Sequence, residues 1–432
     1  MMLRSHYISS AKSLIGQTVK LAGWVHDSRD LGKVRFLLLR DKTGIIQVFA
    51  KKGGVDDKLF ELMAHPRETV VQVEGQVVAS KIATGGVELL PSSVTVLSTP
   101  SVKIPIDITG QVPAELDVRL DNRSVDMRKP NVAAIFKIKS HVARNFRKSL
   151  VFQEFEEIHP PCLVAAATEG GADLFKVQYF EREANLAQSP QLYKQLSVVG
   201  GMDKVFMTTP VFRAEKHNTL SHLNEVLQMD VEMGFCDEND AMDVLEKTFL
   251  EILSMVKKEC AEELKLIGVE DLVVPSKVPR HTYTSLVEKL NAAGVKMEWG
   301  EDFDREKEAK LLSILGEEAY FITGWPTAIR AFYSMPFSDK PETCRAFDLM
   351  YRGLEISSGA QRIHVPELLI KQLQARGLDP ATFEFYINAF RTGAPPHAGW
   401  SIGIERLTMQ ICRLPNIREA SLFPRDRHRL TP

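Results

Sequence analysis

The segment VFMTTPVFRAEKHNTLSHLNEVLQMDVEMGF, residues 205–235, decides how this chain folds. Its two apolar runs, residues 205–212 and 226–235, have the character of β-strands. Such a pair of strands is joined either by an ordinary surface hairpin or by a hairpin that binds a highly charged ligand, and the rest of the sequence has to distinguish the two. The connection is rich in ionisable side chains: Arg213, Glu215, Lys216, His217, His222 and Glu225.

Strand-like and helical segments surround this hairpin without the regular alternation of βαβ units. An amphipathic helix is predicted at residues 131–150, and a helix with an acidic start at residues 237–264. This mixture predicts an α+β fold for residues 131–432, with a largely antiparallel sheet flanked by helices and a small insertion at about residues 265–310. Further strand-like runs lie at residues 319–325, 332–337 and 345–359.

The N-terminal hundred residues read as short strands in the order of an OB-fold β-barrel: three strands, a helix and two more strands. Barrels of this kind bind single-stranded nucleic acid with aromatic and basic side chains. Arg29 and Phe36 flank the first hairpin, although Phe36 can equally be a core residue. We therefore expect an OB-fold domain at residues 1–103 and a Pro-punctuated hinge or linker at residues 104–130.

Composition narrows the class of protein. The chain has 432 residues, 44% hydrophobic and 25% charged, which is typical of a globular protein with more than one domain. No apolar run approaches the roughly 20 residues of a membrane helix, so no membrane association is expected. The five cysteines are scattered and without CxxC spacing, which indicates a reducing compartment, the cytoplasm, and no structural zinc or disulfide.

The net charge of −2 is unevenly distributed. Residues 1–105 carry 14 Lys and Arg against 9 Asp and Glu, whereas the remainder is acidic. A basic N-terminal domain fits contact with a polyanion such as nucleic acid, but ordinary variation of surface charge produces the same split.

Some charged residues are candidates for nucleotide chemistry. The sequence contains neither a P-loop nor a GxGxxG fingerprint, so a bound nucleotide would be held by side chains on strands. Arg213 and Arg406 are candidates for phosphate, because a guanidinium matches two phosphate oxygens. Asp348 and Glu355 offer the hard oxygen ligands that Mg²⁺ prefers. Each of these residues alone can equally belong to a surface ion pair.

Three motifs in order resemble those of the class II aminoacyl-tRNA synthetases. FRAEKHNTLSH resembles motif 2, FEEIHPP (155–161) motif 1 and GIER (403–406) motif 3. Together with TEGG (168–171), SPQLYKQ (189–195) and the ending LFPRDRHRLTP, they resemble the aspartyl-tRNA synthetase family of the compact archaeal and eukaryotic type over essentially the whole chain. The resemblance implies a homodimer joined through motif 1, an OB-fold that contacts the anticodon, and Mg²⁺-dependent use of ATP to attach L-aspartate to tRNA(Asp) through an aspartyl-adenylate.

The resemblance also implies roles for individual residues. Arg213 and Arg406 are the expected catalytic arginines. The aspartate site comprises Glu169, Ser189, Gln191, Lys194, Arg213, Asp230, Ser358 and Arg362. The ATP site comprises Arg213, Glu215, Ser221, His222, Leu223, Glu355, Gly403, Ile404, Glu405 and Arg406. Metal-binding positions are Asp348, Glu355 and Ser358, and anticodon-binding positions are Arg29, Phe36 and Gln47.

Physical chemistry agrees with one of these assignments. Lys194 and Arg362 match the pair that holds the side-chain carboxylate of the substrate. Two cations aimed at one carboxylate select aspartate over asparagine, because a neutral amide would leave them unpaired at a cost of roughly several kcal/mol.

The choice of tRNA depends on two other positions. Family members that reject tRNA(Asn) carry a Trp where this chain has His26 and a Lys near the position of Thr84. Neither is present here, which predicts a non-discriminating enzyme that also charges tRNA(Asn). The alternatives are a strictly discriminating enzyme and a non-catalytic RNA-binding paralogue. Retention of the charged site residues argues against the paralogue. A related asparagine synthetase would use the same adenylate but needs no anticodon-reading domain. Two departures from the family pattern, Val226 and Ser401, lie beside the expected ATP cleft.

Overall fold

A computed structural model describes residues 3–165, 174–216 and 219–432 of the chain. The chain forms two compact units, residues 1–133 and 134–432. No helix in the described ranges is both long and apolar enough to cross a membrane.

The first unit contains a closed five-stranded barrel with the order β1–β2–β3–β5–β4. Leu37, Leu39 and Val48 alternate into its core. A Cβ atom at Gly23 would lie 2.1 Å from the carbonyl oxygen of Arg40, so only glycine permits this close approach of two strands. The predicted OB-fold order is confirmed. The elements are β1 (Thr18–Asp30), β2 (Val34–Asp41), β3 (Gly44–Lys51), α1 (Asp57–Glu61), β4 (Val70–Ala79) and β5 (Val87–Ser98), after a 3₁₀ helix at Ile8–Leu14.

The predicted linker contains ordered structure. It includes the short helices α2 (Leu116–Asp121) and α3 (Arg123–Asp126). Before them, the carboxylate of Asp107 accepts hydrogen bonds from Thr109 and from the backbone N–H groups of Gln111 and Val112. Burial alone would raise the pKa of Asp107, but these hydrogen bonds outweigh it and hold the pKa at about 2.

The second unit is built on an eight-stranded sheet with the order β12–β13–β14–β15–β16–β11–β10–β6. Only the two outermost pairings, β12 with β13 and β6 with β10, are parallel. The predicted α+β fold with a largely antiparallel sheet is confirmed. The strands are β6 (Glu156–Glu157), β7 (Leu163–Val164), β8 (Lys176–Tyr179), β9 (Arg182–Leu186), β10 (Lys204–Phe212), β11 (Glu225–Gly234), β12 (Arg280–Thr282), β13 (Ala319–Pro326), β14 (Thr343–Tyr351), β15 (Leu354–Gln361) and β16 (His397–Gly403), with β7, β8 and β9 in a separate small sheet.

Helices cover one face of this sheet. The apolar side chains of α4 and α6 form the main core with alternate residues of β11 and β16; for example, the ring centroids of Phe146 and Trp400 lie 6.2 Å apart. The opposite face of β11 carries Gln228, Asp230 and Glu232, because successive side chains of a strand point to opposite sides. The helices are α4 (Pro130–Phe152), α5 (Gln191–Val199), α6 (Glu238–Glu259), α7 (Ala261–Leu266), α8 (Tyr283–Ala292), α9 (Arg305–Leu315), α10 (Pro366–Ala375), α11 (Glu384–Arg391) and α12 (Ile404–Ile411).

Two local predictions were wrong. The helix predicted at residues 237–264 is divided in two at Cys260, whose φ of −120° and ψ of 28° are not helical. The run 332–337 forms only isolated bridges at Ser334 and Pro336, since its aromatic residues Phe332 and Tyr333 are buried in a helical cluster instead.

Candidate active site

A cavity of about 520 Å³ opens over the polar face of the large sheet. Its lining comes from the hairpin β10–β11, from β15 and β16, and from the starts of α5 and α12. The structure therefore brings together segments that are far apart in sequence. Most of the predicted aspartate and ATP residues line this cavity: Ser189, Gln191, Lys194, Arg213, Glu215, Ser221, His222, Leu223, Glu355, Ser358, Arg362, Gly403, Glu405 and Arg406.

At one end of the cavity, which we call the carboxylate end, Lys194 and Arg362 form part of the lining. They pair with the buried carboxylates of Asp230 and Glu232, which lie behind that lining. Lys194 Nζ lies 2.9 Å from Asp230 Oδ1 and 3.5 Å from Glu232 Oε2. The guanidinium of Arg362 donates two hydrogen bonds to Glu232, at 2.9 and 3.2 Å. A Cβ atom at Gly399 would lie 2.2 Å from Glu232 Oε2, so glycine is required on the strand beside this carboxylate.

The carboxylate end is prepared for a charged ligand. Burial alone would raise the pKa of Glu232, but Arg362 and Lys194 outweigh it and hold the pKa below its ordinary value. Two cations and two anions are therefore present in a nearly dry site, with no net charge. Such a site can receive a zwitterion, whose ammonium pairs with an acidic residue and whose carboxylate pairs with a basic one.

The other end, which we call the phosphate end, is formed by the hairpin and α12. Arg406 Nη2 donates to His222 Nε2 at 3.0 Å, and Nη1 donates to the carbonyl oxygen of Glu355 at 3.1 Å. Since a guanidinium only donates, the proton of His222 resides on Nδ1, which lies 2.6 Å from Thr219 Oγ1. Burial and Arg406 lower the pKa of His222, which is therefore neutral at pH 7.

Asn224 holds the hairpin that carries Arg213. Its side-chain amide donates to the carbonyl oxygens of Arg213 and Glu215, at 2.7 and 3.1 Å. The backbone N–H of Arg213 in turn donates to the carbonyl oxygen of Asn224 at 2.8 Å. These bonds keep the ends of the charged connection together and hold Arg213 beside the sheet.

Glu405, which lines the cavity and is a predicted ATP residue, has partners within the chain. Its carboxylate is buried and accepts from Lys139 Nζ at 2.7 Å and from the backbone N–H of Leu227 at 3.1 Å. Leu227 lies just beyond the last pairing of β11 with β16, so Glu405 replaces the missing strand partner. Ile404 is a core residue. Both side chains are thus turned towards protein, and contact of this segment with a ligand would come from its backbone.

The predicted metal positions are partly occupied by a cation of the chain itself. The guanidinium of Arg330 donates to both oxygens of Asp348, at 2.6 and 2.9 Å, and to Ser358 Oγ at 2.6 Å. Within the part of the chain that the structure describes, no three His, Cys, Asp or Glu residues are grouped as metal ligands. Glu355, which lines the cavity, and the Ser358 hydroxyl fit Mg²⁺, because this ion usually takes one or two carboxylates and keeps waters and phosphates as its other ligands. Asp348 does not fit as a direct ligand here, since both its oxygens accept from Arg330.

Known protein families match this chain over most of its length. The family described as tRNA synthetases class II (D, K and N) matches residues 115–427, the part that contains the cavity. The chain belongs to the class II tRNA synthetases. The family described as OB-fold nucleic acid binding domain matches residues 19–97, which contain the barrel.

Curated relatives in this synthetase family align from end to end. The aspartate–tRNA(Asp/Asn) ligase of Methanocaldococcus jannaschii is 48% identical over 434 residues, covering 99% of this chain and 98% of that protein. The aspartate–tRNA(Asp) ligase of Pyrococcus furiosus is 47% identical over 438 residues, covering all of both chains.

Solved structures of synthetases are similar in fold. Asparaginyl-tRNA synthetase from Pyrococcus horikoshii, complexed with asparaginyl-adenylate, has a TM-score of 0.93 and 34% identity, covering 100% of both chains. Aspartyl-tRNA synthetase from Entamoeba histolytica has a TM-score of 0.88 and 33% identity, covering 100% of this chain and 93% of that one.

The barrel of this synthetase carries the predicted anticodon residues on its outer face. Arg29 is paired with Phe36 in the strand register, and Phe36 with Phe49, whose ring centroid lies 5.3 Å away. Phe36 is half-buried and alternates with core residues, so it lies outside the core. Gln47 lies on the same outer face and donates to Glu88 at 2.9 Å. Sequence reasoning missed Phe49, although it lies two residues after Gln47 on β3 and its side chain is therefore on the same face of the strand.

The two positions predicted to govern discrimination between tRNA(Asp) and tRNA(Asn), His26 and Thr84, differ in environment. His26 Nδ1 accepts from Arg40 Nη1 at 3.0 Å, and Arg40 also donates to both oxygens of the buried Glu68. Burial and Arg40 lower the pKa of His26. Thr84 is exposed in the turn between β4 and β5. The predicted Glu169, the TEGG motif and His217 lie outside the described residues.

Sequence reasoning also missed Arg330 and Arg376, which line the cavity, and Glu232, which is buried behind it. Glu232 lies two residues after Asp230 on β11, so both side chains are on the same face of the strand. This spacing could have indicated Glu232 from the sequence. Arg330 and Arg376 stand in apolar or mixed segments without a motif. Arg376 donates to the carbonyl oxygens of Thr327 and Arg330, at 2.7 and 2.9 Å, and so holds the segment that carries Arg330.

Proposed function

We propose that this chain is an aspartate–tRNA ligase, which attaches L-aspartate to tRNA through an aspartyl-adenylate at the expense of ATP. The observation that carries the proposal is the buried pair of Lys194 and Arg362, held on either side of Glu232. Aspartate ligases of 47–48% identity along the whole chain support it.

Charge balance at the carboxylate end favours aspartate over asparagine. When the substrate ammonium pairs with Asp230, the remaining charges are two cations and the single anion Glu232. The surplus positive charge suits a side-chain carboxylate and is left uncompensated by an amide. The fold itself does not decide between the two amino acids, because an asparaginyl-tRNA synthetase has a TM-score of 0.93 to this chain.

In the first step the α-carboxylate of aspartate attacks the α-phosphorus of ATP, and pyrophosphate leaves. Lys194 and Arg362 hold the side-chain carboxylate, while Asp230 holds the ammonium. Arg213 contacts the α-phosphate and the attacking carboxylate, which brings the reacting atoms together and stabilises their developing charge. Glu215 accepts from the adenine amino group, and Arg406, oriented by the lone pair of His222 Nε2, holds the γ-phosphate.

In the second step the 3′-terminal hydroxyl of the tRNA attacks the aspartyl carbonyl, and AMP leaves. No side chain acts as a covalent nucleophile in this scheme. Glu355 and Ser358 are the residues that would hold Mg²⁺, which when bound neutralises phosphate charge.

We propose that both tRNA(Asp) and tRNA(Asn) are charged. The support is His26 in place of the Trp of discriminating family members, and Thr84 near the position of their Lys. Relatives of almost equal identity include an aspartate–tRNA(Asp/Asn) ligase and an aspartate–tRNA(Asp) ligase, so overall similarity does not decide between them. This part of the proposal therefore rests on His26 and Thr84.

We also propose a homodimer in the cytoplasm. Phe152, at the end of α4, is 82% exposed, and neighbouring Val151 is 58% exposed, as expected of a helix end that packs against a second copy. The five cysteines have no disulfide partners, which fits a reducing compartment. Light scattering of the purified chain tests the dimer: a monomeric mass contradicts it.

Aspartate-dependent exchange between ATP and pyrophosphate tests the activity directly. We expect exchange with L-aspartate and, at equal concentration, far less with L-asparagine. Absence of exchange would favour a non-catalytic RNA-binding paralogue. Aminoacylation of purified tRNA(Asp) and tRNA(Asn) then tests discrimination: charging of tRNA(Asp) alone identifies a strictly discriminating enzyme.

A further inference from the structure

A buried histidine behind the carboxylate end has both ring nitrogens engaged. His397, the first residue of β16, is fully buried. Its Nδ1 lies 2.8 Å from the carbonyl oxygen of Pro395, and its Nε2 lies 2.9 Å from Nε2 of Gln195. A carbonyl oxygen only accepts, so the proton resides on Nδ1 and Nε2 is an acceptor. Burial lowers the pKa of His397, which agrees with a neutral ring.

The acceptor on His397 fixes the amide of Gln195. Because the NH₂ group of Gln195 faces His397, its oxygen faces the other way, where two donors meet it. These are Gln191 Nε2 and the Tyr386 hydroxyl, each at 2.9 Å. A flipped Gln195 would turn its NH₂ group towards both donors and its oxygen towards the lone pair of His397. Such unsatisfied buried groups are strongly disfavoured.

Gln195 in turn fixes the amide of Gln191. Gln191 and Gln195 are four residues apart on α5 and therefore lie on one face of the helix, as does Lys194. Gln191 gives its NH₂ group to Gln195, so its carbonyl oxygen is the end of the amide left to face the cavity that it lines.

We propose that His397, acting through Gln195, is a positioning residue that turns the carbonyl oxygen of Gln191 towards the cavity, where it accepts a hydrogen bond from the substrate ammonium. The inference rests on the proposed function. It gives the ammonium a second acceptor beside Asp230. It also extends recognition of the amino group to a side chain that lines no part of the cavity.

Kinetics of a matched pair of variants test the relay. In His397→Leu the acceptor is lost, Gln195 is free to flip, and Gln191 can present its NH₂ group. We expect the KM for L-aspartate to rise about 10-fold or more, as for loss of a hydrogen bond to a charged group, with the KM for ATP unchanged within about two-fold. His397→Gln, whose oxygen can replace Nε2 as acceptor, should restore most of the affinity.

Succinate separates the relay from general damage. This dicarboxylate resembles aspartate without its amino group, so its inhibition constant should be the same in wild type and His397→Leu. Equal weakening of succinate and aspartate, or a parallel rise in the KM for ATP, would mean that the leucine only disturbs packing, and the relay would be refuted.

A spectroscopic test does not depend on activity. Long-range ¹H–¹⁵N NMR of the full chain labelled at histidine should show His397 as the neutral Nδ1–H tautomer, assigned by its absence in His397→Gln. The Nε2–H tautomer or an imidazolium at pH 7 would overturn the proposal. If the wild-type chain shows no aspartate-dependent exchange, the proposed function fails, while the tautomer still reports on the relay.

Discussion

The two ends of the cavity treat charge in opposite ways. At the carboxylate end, Lys194 and Arg362 already have a buried anionic partner in Glu232. At the phosphate end, Arg406 donates to a neutral imidazole and a carbonyl oxygen, and its nearest carboxylate contact, with Glu355, is 3.7 Å. The carboxylate end thus fixes the geometry of a small ligand in advance, whereas the phosphate end leaves positive charge for a ligand that brings several negative charges.

Removing the anion that organises the carboxylate end should have the largest effect. Glu232→Gln leaves Arg362 without its buried counter-charge and Lys194 with Asp230 alone, and we expect a loss of about 3–5 kcal/mol in the free energy of unfolding. Urea unfolding of the full chain measures it. Glu88→Gln, on the outer face of the barrel, is the control and should change stability by less than about 1 kcal/mol. If the Glu232→Gln variant were as stable as the wild type, Glu232 would not be the counter-charge that stabilises Lys194 and Arg362 in the unliganded protein.

Removing one cation from the same end tests selectivity for the substrate. Lys194→Met keeps the approximate size of the side chain but removes the surplus positive charge. We expect kcat/KM for L-aspartate in pyrophosphate exchange to fall by about 100-fold or more, by the cost of breaking a buried pair. The KM for ATP should change little. A variant that loses ATP and aspartate equally would contradict separate roles for the two ends.

The phosphate end should respond more weakly. Arg406→Met is expected to raise the KM for ATP by roughly 10- to 100-fold, the range for hydrogen bonds to charged groups. His222→Asn, which replaces a neutral partner, should raise it less. If His222→Asn were the more damaging change, the histidine and not the arginine would be the main phosphate contact.

The barrel offers a comparison outside the cavity. Phe36→Ala removes a half-buried ring beside Phe49, and we expect the KM for tRNA to rise by an amount equivalent to about 1–3 kcal/mol for one stacked base. Aspartate-dependent pyrophosphate exchange, which needs no tRNA, should be unchanged. An unchanged KM for tRNA would remove Phe36 from the anticodon contact.

The smallest expected effect is a pH dependence of stability. The pKa of His397 is lowered in the folded chain, so between that value and the unfolded pKa of about 6.5 the unfolded chain binds the extra proton. Stability should therefore fall as the pH falls from 7 to 5. Comparison with His397→Gln isolates the contribution of this one group. The variant should have the shallower slope of stability against pH, and identical slopes would contradict the expectation.

Local patterns predicted much of this molecule. Alternation of apolar residues placed the barrel strands, and the two strands of the charged hairpin were predicted because each is a continuous apolar run. Contacts across long separations were not predictable in this way. Gln195 and His397 are 202 residues apart, and Arg330 meets Asp348 from the irregular connection between β13 and β14, where no periodic pattern indicates the contact.

The residues that sequence reasoning placed incompletely share a physical cause. Asp348 and Glu405 were assigned from their motifs as ligand contacts, yet each accepts hydrogen bonds from another part of the chain. A sequence motif gives the position of a carboxylate but does not show which side chains of the same chain donate hydrogen bonds to it. The break at Cys260 was missed because the apolar spacing continues through it.

Gly399 has a consequence for how this pocket can evolve. Any side chain at this position would collide with the carboxylate of Glu232, so this position is confined to glycine as long as Glu232 is present. Glu232 is in turn the shared partner of Lys194 and Arg362, so the charges at residues 194, 232 and 362 depend on one another. A lineage that altered one of them alone would pass through an unstable protein. Because single changes at these positions are destabilising, the amino acid specificity of this site is expected to change slowly in evolution. The same fold nevertheless occurs in an asparaginyl-tRNA synthetase complexed with asparaginyl-adenylate.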